Sequence, residues 1–299
     1  MKQKITGILS PVITPFDETL APDTERWLAH CRWLLKQDCG LAIFGTNSEA
    51  NSLSLAERLS LLDAALEAGL DPNRMMPGSG ACALPDAIKL TDRAVKGGCA
   101  GVLMLPPFYY KGVSDDGLFA FYDRVIQAVG DSALRIYLYH IPLVSQIPIS
   151  LSLIERLLKA HPNTVAGIKD SSGDWTNTMT MLENFDNFDV FVGSERFLLA
   201  GMRHGAVGCI SATANITPAA IQSLYQNWQA EDADDQQAGL TSFREAIESY
   251  PMIPALKASI AWARDDPAWS RVRPPLVGLG SNAMDNLSIT LKQSGFSMT

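Results

Sequence analysis

Short apolar runs rich in valine, isoleucine and leucine recur along the first two thirds of the chain. Each run is apolar at successive positions rather than at alternate ones, which is typical of a strand buried on both faces. We predict that these runs are strands of one sheet. They are Gly7–Phe16, Leu41–Thr46, Met75–Gly80, Gly101–Pro106, Leu134–Pro142, Thr164–Lys169, Val190–Glu195 and Ala206–Ala212.

Between these runs lie segments with the periodicity of amphipathic helices. The clearest are Asp23–Lys36, Leu55–Ala68, Asp115–Val129 and Ser150–Ala160. In the second of these, Leu59, Leu62 and Leu66 follow one another at helical spacing, which predicts that they form its buried face.

Strands and helices alternate through residue 216, as in a parallel sheet covered by helices. Eight strands in about 210 residues fit a closed (β/α)8 TIM barrel, which usually has ~250 residues. The alternative is a doubly wound sheet, commonly marked by GxGxxG after the first strand. That motif is absent, and Gly78-Ser79-Gly80 is only a lone GxG. We therefore predict an α/β fold with a TIM barrel.

The strand signals stop after Ile216. Thr217-Pro218 is typical of a helix start, with threonine as N-cap and proline at the first helical position. Helical patterns continue from Ala219 to about Arg264, and a last helix is predicted over Met284–Gln293. The expected organisation is a catalytic barrel over 1–216 with a C-terminal helical extension over 217–299 packed on it.

Composition narrows the function classes. The chain has 299 residues, of which 47% are hydrophobic, as is usual for a folded protein. Its formal net charge of −8, without a basic cluster, argues against nucleic acid as the main partner. No apolar run approaches the ~20 residues of a membrane-spanning helix, and no signal-peptide pattern is present. We expect no membrane association.

Cysteine and histidine usage argues against metal and disulfide chemistry. The five cysteines are scattered and include no CxxC pair, which indicates reduced thiols and a cytoplasmic location. The four histidines show no HxxxH or HxH spacing. We predict no metal site and no cofactor.

The chemistry of a TIM barrel lies at the carboxyl ends of its strands. There, Lys169 follows the apolar run Val165-Ala166-Gly167-Ile168, which is buried if it forms a central strand. Burial disfavours the ammonium ion, and a neutral amine is a nucleophile toward carbonyl groups. The alternative is a strand-end lysine that reaches solvent through the barrel mouth.

Two hydroxyl residues at other strand ends suit the same chemistry. Tyr139 can donate and accept protons, as carbinolamine formation requires. Thr46 can orient that tyrosine, and the backbone N–H groups of Thr46 and Asn47 can hold a carboxylate. Taken singly, Tyr139 also fits a core tyrosine and Thr46-Asn47 a simple turn, while His140 fits a core histidine.

At these residues the sequence resembles the dihydrodipicolinate synthase/N-acetylneuraminate lyase family of class I, Schiff-base lyases. The resemblance spans nearly the whole chain and rests on GILSPVITPF, GTNSE, PPFYY, YHIP, GIKDSSGD, GSE and ISATANI. It implies a (β/α)8 barrel with C-terminal helices, assembled as a homotetramer of two tight dimers.

The resemblance also implies catalytic roles. Lys169 looks like the Schiff-base lysine, and Tyr139 looks like the catalytic tyrosine of the family's YNxP motif, here YHIP. Thr46 looks like the hydroxyl that links the proton relay. Tyr109 looks like the tyrosine that reaches across the tight-dimer interface into the neighbouring site.

The same resemblance implies binding roles. Thr46 and Asn47 are similar to the pair that binds the carboxylate of the 2-oxo acid. Gly193 and Ile210 match positions that line the pocket, the latter through its carbonyl. Glu195 resembles the acidic residue that sugar-acid aldolases direct at substrate hydroxyls.

One departure bears on the substrate. The synthase branch carries an arginine two residues after the YNxP proline, and this chain has Val144 there. An apolar side chain cannot replace a bidentate carboxylate grip. We therefore expect a lyase or aldolase acting on pyruvate or a hydroxylated 2-oxo acid, such as a 2-keto-3-deoxy sugar acid.

Other activities stay open at this point. One is 4-hydroxy-tetrahydrodipicolinate (dihydrodipicolinate) synthase, which condenses pyruvate with aspartate semialdehyde. Another is a non-catalytic 2-oxo-acid-binding protein on the same barrel. A nucleotide-dependent α/β enzyme is disfavoured because no glycine-rich phosphate loop follows a strand.

Overall fold

The computed structural model describes residues 4–298 and contains one seven-stranded parallel sheet in that range. Its strand order is β2-β1-β7-β6-β5-β4-β3. The strands are β1 (Gly7–Ser10), β2 (Gly40–Leu41), β3 (Val102–Met104), β4 (Ile136–His140), β5 (Val165–Asp170), β6 (Asp189–Val192) and β7 (Gly208–Ile210). Each of β3 to β7 lies beside its neighbour in sequence, and β1 joins β7 to β2. This consecutive order differs from that of the doubly wound alternative.

Twelve α-helices lie in the described range. They are α1 (Thr24–Lys36), α2 (Leu55–Glu67), α3 (Leu84–Lys96), α4 (Asp115–Val129), α5 (Pro142–Ser145), α6 (Leu151–Ala160), α7 (Trp175–Asn184), α8 (Leu198–Arg203), α9 (Pro218–Gln226), α10 (Ala233–Glu248), α11 (Met252–Arg264) and α12 (Ser281–Gln293).

The N-caps explain where the predicted helices begin. Asp23, Ser54, Ser114 and Ser150 each precede a helix and accept a hydrogen bond from the backbone N–H three residues later. Such caps satisfy one of the free N–H groups at a helix start. The helix boundaries predicted from periodicity therefore lie within one residue of those observed for these four helices.

The predicted strand Met75–Gly80 is a bridging segment rather than a regular strand. Met76 N–H donates to the Leu41 carbonyl at 2.8 Å, and Ser79 N–H donates to the Leu103 carbonyl at 2.9 Å. The segment thus pairs with β2 on one side and β3 on the other, through isolated parallel bridges. Pro77 lacks an N–H, so no continuous ladder forms.

Most of the other predicted strands are longer than those observed, whereas Thr164–Lys169 has the same length as β5 and begins one residue earlier. The first covers Gly7–Ser10 rather than Gly7–Phe16, because Pro11 removes the next ladder donor. The second covers only Gly40–Leu41, and the chain then turns at Phe44, which has a positive φ of 62°.

The buried face of α2 also differs from the prediction. Arg58, Leu61, Leu62 and Ala65 are buried, whereas Leu59 and Leu66 are only partly so. The Arg58 guanidinium donates to the carbonyl of Gly78 at 2.6 Å and of Gly80 at 3.3 Å. Arg58 therefore belongs to the buried face of α2, because its guanidinium binds these carbonyl groups. Hydrophobic periodicity cannot predict a buried arginine of this kind.

Two hydrophobic layers flank the sheet. A small inner cluster includes Leu9, Leu103, Tyr137, Phe191 and Ile210. A larger outer cluster joins the opposite strand face to the surrounding helices. Successive side chains of a strand point alternately into the inner and the outer cluster. This is why the strands are apolar at every position.

The last three helices, α10 to α12, have a core of their own. It contains Leu256, Trp269 and Leu291, together with Ile13 and Ala212 from segments that follow strands. The helical region predicted from Ala219 to Arg264 is three helices, separated at 227–232 and 249–251. This core holds α10 and α11 against the carboxyl ends of the strands.

Within residues 4–298, no helix combines the length and apolar character needed to cross a bilayer. The same residues contain no group of three or more histidine, cysteine, aspartate or glutamate side chains able to hold a metal ion.

Candidate active site

A cavity of about 560 Å³ opens at the carboxyl ends of the strands. Thr46, Tyr139, Lys169 and Gly193, from four different strand ends, line one part of it. Its other walls come from the short helix α5 and from the segment around α10 and α11. The cavity therefore lies where the barrel prediction placed the chemistry.

Lys169, Tyr139 and Thr46 form a hydrogen-bonded chain inside this cavity. Lys169 Nζ donates to Tyr139 Oη at 3.2 Å, and Tyr139 Oη lies 3.1 Å from Thr46 Oγ1. Tyr139 and Lys169 are direct partners in the β4–β5 register, so their side chains leave the same face of the sheet. Lys169 is 2% exposed, and its amine lies 4.4 Å from the Tyr139 ring centroid.

The environment of Lys169 favours nucleophilic chemistry. Among residues 4–298, no carboxylate forms an ion pair with its amine, and its hydrogen-bond partner is a neutral hydroxyl. The solvent-exposed alternative raised by the sequence is not observed, because the side chain is buried. The amine therefore lies at the cavity wall with a hydroxyl partner and without a counter-ion among the described residues.

The turn after β2 presents two free donors to the cavity. Within the described part of the chain, the backbone N–H groups of Thr46 and Asn47 have no acceptor, and both residues line the cavity. Neighbouring N–H groups in a turn form an anion-binding concavity. The pair is therefore suited to hold an anion, and the carboxylate-binding role predicted for it stays a prediction.

Local hydrogen bonds give this turn its shape. Gly45 N–H donates to Ser48 Oγ at 3.1 Å, and Thr14 Oγ1 donates to the Ser48 carbonyl at 2.7 Å. Ser48 is fully buried, so its side chain closes the turn from inside.

A buried ion pair anchors the far end of the turn. Glu49, in the left-handed region with φ 56°, pairs with Lys257 of α11. The Lys257 amine also donates to the Arg271 carbonyl at 2.7 Å and lies 4.2 Å from the Phe16 ring centroid. Burial lowers the pKa of Lys257 to about 8, against the opposing effect of Glu49. The C-terminal helices thus hold the turn that carries Thr46 and Asn47.

Gly193 allows two strand ends to approach closely. A Cβ at this position would lie 2.5 Å from the Asp170 carbonyl oxygen and closer still to Ser171 Oγ. The Asp170 carboxylate accepts from Thr178 Oγ1 at 2.6 Å and from Asn177 at 3.1 Å. Gly193 lines the cavity, and a side chain at this position would collide with the end of β5.

Glu195 is buried and does not line the cavity. Its carboxylate accepts hydrogen bonds from Ser211 and Thr213, and it pairs with Arg244 of α10 at 3.3 Å. The structure does not bring its carboxylate to a position from which it touches a ligand directly. Arg244 itself lines the cavity.

Tyr109 and Ile210 also lie apart from the cavity of their own chain. Tyr109 is 73% exposed on the segment after β3, where its ring packs edge-on against Tyr110 at 5.3 Å. Ile210 lies on β7 within the inner cluster. The roles predicted for these residues stay predictions.

His140 is a buried neutral side chain beside the site. Its Nδ1 accepts a hydrogen bond from Ile149 N–H at 3.0 Å, which places any ring proton on Nε2. Burial lowers its pKa, against the opposing charge of Asp170. This fits the core histidine read from the sequence.

Several cavity residues were missed by the sequence reasoning. They are Leu143, Arg196, Arg244, Glu248, Tyr250 and Met252. Most lie on or beside α10 and α11, which were predicted only as helices packed on the barrel. These residues come close to strand ends that are far away in the sequence. Such long-range contacts produce no short sequence motif. Arg196 is the one that the sequence could have indicated, because it directly follows the GSE motif at a strand end.

The fold and the lysine–tyrosine–threonine site define the class of Schiff-base lyases built on a parallel α/β sheet. The chain belongs to the dihydrodipicolinate synthetase family, which matches residues 4–294. Members of this family are lyases that use a lysine Schiff base.

Relatives and solved structures agree with this membership. An uncharacterized DapA-like lyase from Chloroflexus aurantiacus is 32% identical over 278 residues, covering 92% of each protein. The crystal structure of dihydrodipicolinate synthase from Agrobacterium tumefaciens matches with a TM-score of 0.89 at 31% identity, covering 97% of this chain and 99% of that one.

A more distant structure shares the fold alone. It is a 2-keto-3-deoxygluconate aldolase variant from Sulfolobus solfataricus, with a TM-score of 0.86 at 21% identity. The match covers 96% of this chain and 95% of that one.

Proposed function

We propose that this protein cleaves or forms a bond next to the carbonyl of pyruvate or a hydroxylated 2-oxo acid, with Lys169 as the imine-forming residue. The observation that carries this proposal is the hydrogen-bonded chain from the Lys169 amine through Tyr139 to Thr46. No other lysine among residues 4–298 lines the cavity.

The proposed reaction begins when the neutral Lys169 amine adds to C2 of the oxo acid. The resulting carbinolamine loses water to give a protonated imine. Tyr139 supplies the proton that leaves with the oxygen and recovers one through Thr46. The free N–H groups of Thr46 and Asn47 hold the substrate carboxylate during these steps.

The protonated imine then serves as the electron sink. Electrons released by cleavage of the C3–C4 bond flow into it while the proton of the C4 hydroxyl leaves through Tyr139 and Thr46, giving an enamine and an aldehyde. Addition to an aldehyde is the reverse of this step, and loss of a β-hydroxyl as water uses the same sink. All these outcomes use the same residues, so the site supports a lyase without choosing between them.

A second candidate is 4-hydroxy-tetrahydrodipicolinate synthase. It is favoured by relatives that carry this name, such as one from Agrobacterium fabrum that is 29% identical over 295 residues. Val144 argues against it, because this cavity residue is 62% exposed and offers no charge to a second carboxylate. Release of product from pyruvate and aspartate semialdehyde tests this candidate directly.

We also propose the finer architecture behind the site. Pairing of the 75–80 segment with β2 and β3 supports a closed (β/α)8 barrel, on which α9–α12 form the C-terminal extension. The exposed Tyr109 supports a homotetramer in which it completes a neighbouring site. The buried Cys31, Cys39 and Cys209, which form no disulfide among residues 4–298, support a cytoplasmic location.

Reductive trapping tests the proposed reaction. Borohydride added with pyruvate is expected to leave an adduct on Lys169, identified by mass spectrometry of the modified peptide. Lys169→Ala is expected to lose the adduct and essentially all turnover while keeping its fold. An unmodified Lys169, or turnover that survives in Lys169→Ala, rules the mechanism out.

A further inference from the structure

The cavity contains a second polar region besides the imine-forming residues. Arg244 and Glu248 of α10 line it, and no hydrogen bond among residues 4–298 links either to Lys169, Tyr139 or Thr46. A cavity of about 560 Å³ holds ligands considerably larger than pyruvate. A longer substrate anchored at Lys169 therefore extends to groups beyond the reacting carbons.

Arg244 is rigidly held but retains donor capacity. Its Nη1 donates to Ser211 at 3.0 Å and to Glu195 at 3.3 Å, and its Nε donates to Glu248 at 2.8 Å. No residue in the described range accepts a hydrogen bond from Nη2. A guanidinium oriented by two carboxylates is a pre-organised donor.

Glu248 complements Arg244 because it accepts hydrogen bonds. Its Oε1 accepts from Arg244, and its Oε2 accepts from Arg196 Nη1 at 3.2 Å. Each carboxylate oxygen keeps a further lone pair. The side chain is about one-third exposed and lines the cavity, so a ligand hydroxyl can reach it.

The arginines of this region carry no excess positive charge. Arg196 and Arg244 form direct ion pairs with three carboxylates, those of Glu195, Glu245 and Glu248. This part of the cavity wall can both donate and accept hydrogen bonds, and it has no excess positive charge. It therefore suits neutral hydroxyl groups. A second carboxylate or a phosphate would meet Glu248 unfavourably.

We propose that Arg244 and Glu248 bind the distal, hydroxyl-bearing end of a 2-oxo acid longer than pyruvate, and thereby determine specificity. Glu195 acts as a positioning residue that orients Arg244, instead of contacting substrate hydroxyls itself. This inference rests on the proposed imine chemistry of Lys169, and it assigns the substrate's neutral end to residues contributed by α10.

Borohydride trapping with three six-carbon 2-oxo acids tests this assignment. The acids are 2-keto-3-deoxygluconate with hydroxyls, 2-oxohexanoate without polar groups, and 2-oxoadipate with a terminal carboxylate. The measured quantity is the concentration that half-saturates adduct formation on Lys169, counting intact and cleaved adducts. The wild-type protein is expected to half-saturate at the lowest concentration with 2-keto-3-deoxygluconate.

The variants are Glu248→Gln and Arg244→Lys, which preserve approximate side-chain size. Each is expected to raise the half-saturating concentration of 2-keto-3-deoxygluconate roughly 10- to 100-fold, as for loss of a hydrogen bond to a charged group. Values for pyruvate and 2-oxohexanoate are expected to stay within about twofold. Glu248→Gln changes a partly exposed residue and is expected to fold. It therefore tests the proposal even if Arg244→Lys unfolds.

Arg203→Met is the matched control. Arg203 pairs with Asp234 of α10 at 2.8 Å on the surface, away from the cavity, so the substitution should change no value. The assignment is overturned if Glu248→Gln keeps the wild-type preference or if wild type prefers 2-oxoadipate. If no pyruvate adduct forms at all, the proposed imine chemistry is wrong. The assignment of Arg244 and Glu248, which rests on it, then fails as well.

Discussion

Tyr139 is the side chain through which the lysine amine and the threonine hydroxyl are connected. Its hydroxyl lies 3.2 Å from Lys169 Nζ and 3.1 Å from Thr46 Oγ1, while its ring packs within the inner cluster. At the residue scale, the proposed catalysis thus depends on one hydroxyl held between two partners. Packing of the ring fixes its position without using the hydroxyl.

Tyr139→Phe separates these two functions. We expect turnover to fall roughly 10²- to 10⁴-fold, because an acid–base group is lost while the ring remains. Tyr137→Phe is the matched control, since Tyr137 lies on the same strand and its hydroxyl donates to Asp189 at 3.2 Å, away from Lys169. Steady-state kinetics on both variants checks this, and equal rates for Tyr139→Phe and wild type would demote Tyr139 to packing.

His30 gives the fold a predictable acid sensitivity. It is fully buried, its Nδ1 accepts from Arg264 at 2.9 Å, and desolvation lowers its pKa to about 3. In the unfolded chain it titrates near its ordinary value of 6.5. Below pH 6.5 the unfolded state therefore binds a proton that the folded state refuses, so stability falls as the pH drops toward 3.

His30→Gln should reduce this sensitivity. At pH 5 the histidine accounts for about 2 kcal/mol of lost unfolding free energy relative to pH 8. Urea denaturation of both proteins at pH 8 and pH 5 measures the difference. Equal losses in the two proteins would assign the acid sensitivity to other groups.

At the element scale, the site depends on how closely β5 and β6 approach beyond their ends. Gly193 leaves no room for a side chain against Asp170 and Ser171, the residues that follow Lys169. The contact transmits any displacement of the β6 end to the β5 end. Strand packing and catalytic geometry are therefore linked at one glycine.

Gly193→Ala should destabilise the protein by about 1–3 kcal/mol, as overpacking does, and should lower turnover by displacing the β5 end. Gly239→Ala is the matched control, because Gly239 lies in α10 with open space around its Cβ position. It should stabilise the protein by about 0.5–1 kcal/mol. Thermal unfolding and kinetics distinguish the two, and a fully active Gly193→Ala would contradict the proposed link.

At the whole-molecule scale, the cavity of one chain lacks the tyrosine that the family resemblance assigns to it. Tyr109 is exposed, and no hydrogen bond in the described range joins it to Tyr139 or Thr46. A tyrosine that acts on a neighbouring site has these properties in an isolated chain. The proposed tight dimer accounts for its exposure.

Mixing two inactive variants tests this arrangement. Tyr109→Phe and Lys169→Ala proteins, unfolded and refolded together, should regain activity that neither has alone. In a mixed dimer, the Tyr109→Phe chain supplies Lys169 while its partner supplies an intact tyrosine, which completes one site. If Tyr109 serves its own chain, mixing produces no complete site and activity stays at the sum of the separate proteins.

The sequence by itself determined the alternating architecture, the boundaries of α1, α2, α4 and α6, and the residues at the strand ends. Apolar runs, N-caps and prolines act within a few residues, so a linear pattern records them. Lys169, Tyr139 and Thr46 were found because parallel strands carry their carboxyl ends to one side of the sheet. Their mutual contacts follow from strand register, as the Tyr139–Lys169 pairing illustrates.

Only the tertiary structure decided which charged side chains line the cavity and which pair with each other. Glu195 was expected at the substrate, yet Ser211, Thr213 and Arg244 satisfy its carboxylate. Arg58 likewise replaces a predicted leucine face by binding carbonyl groups. Such choices depend on the energy of burying a polar group, which is set by partners distant in sequence, so no local pattern encodes them.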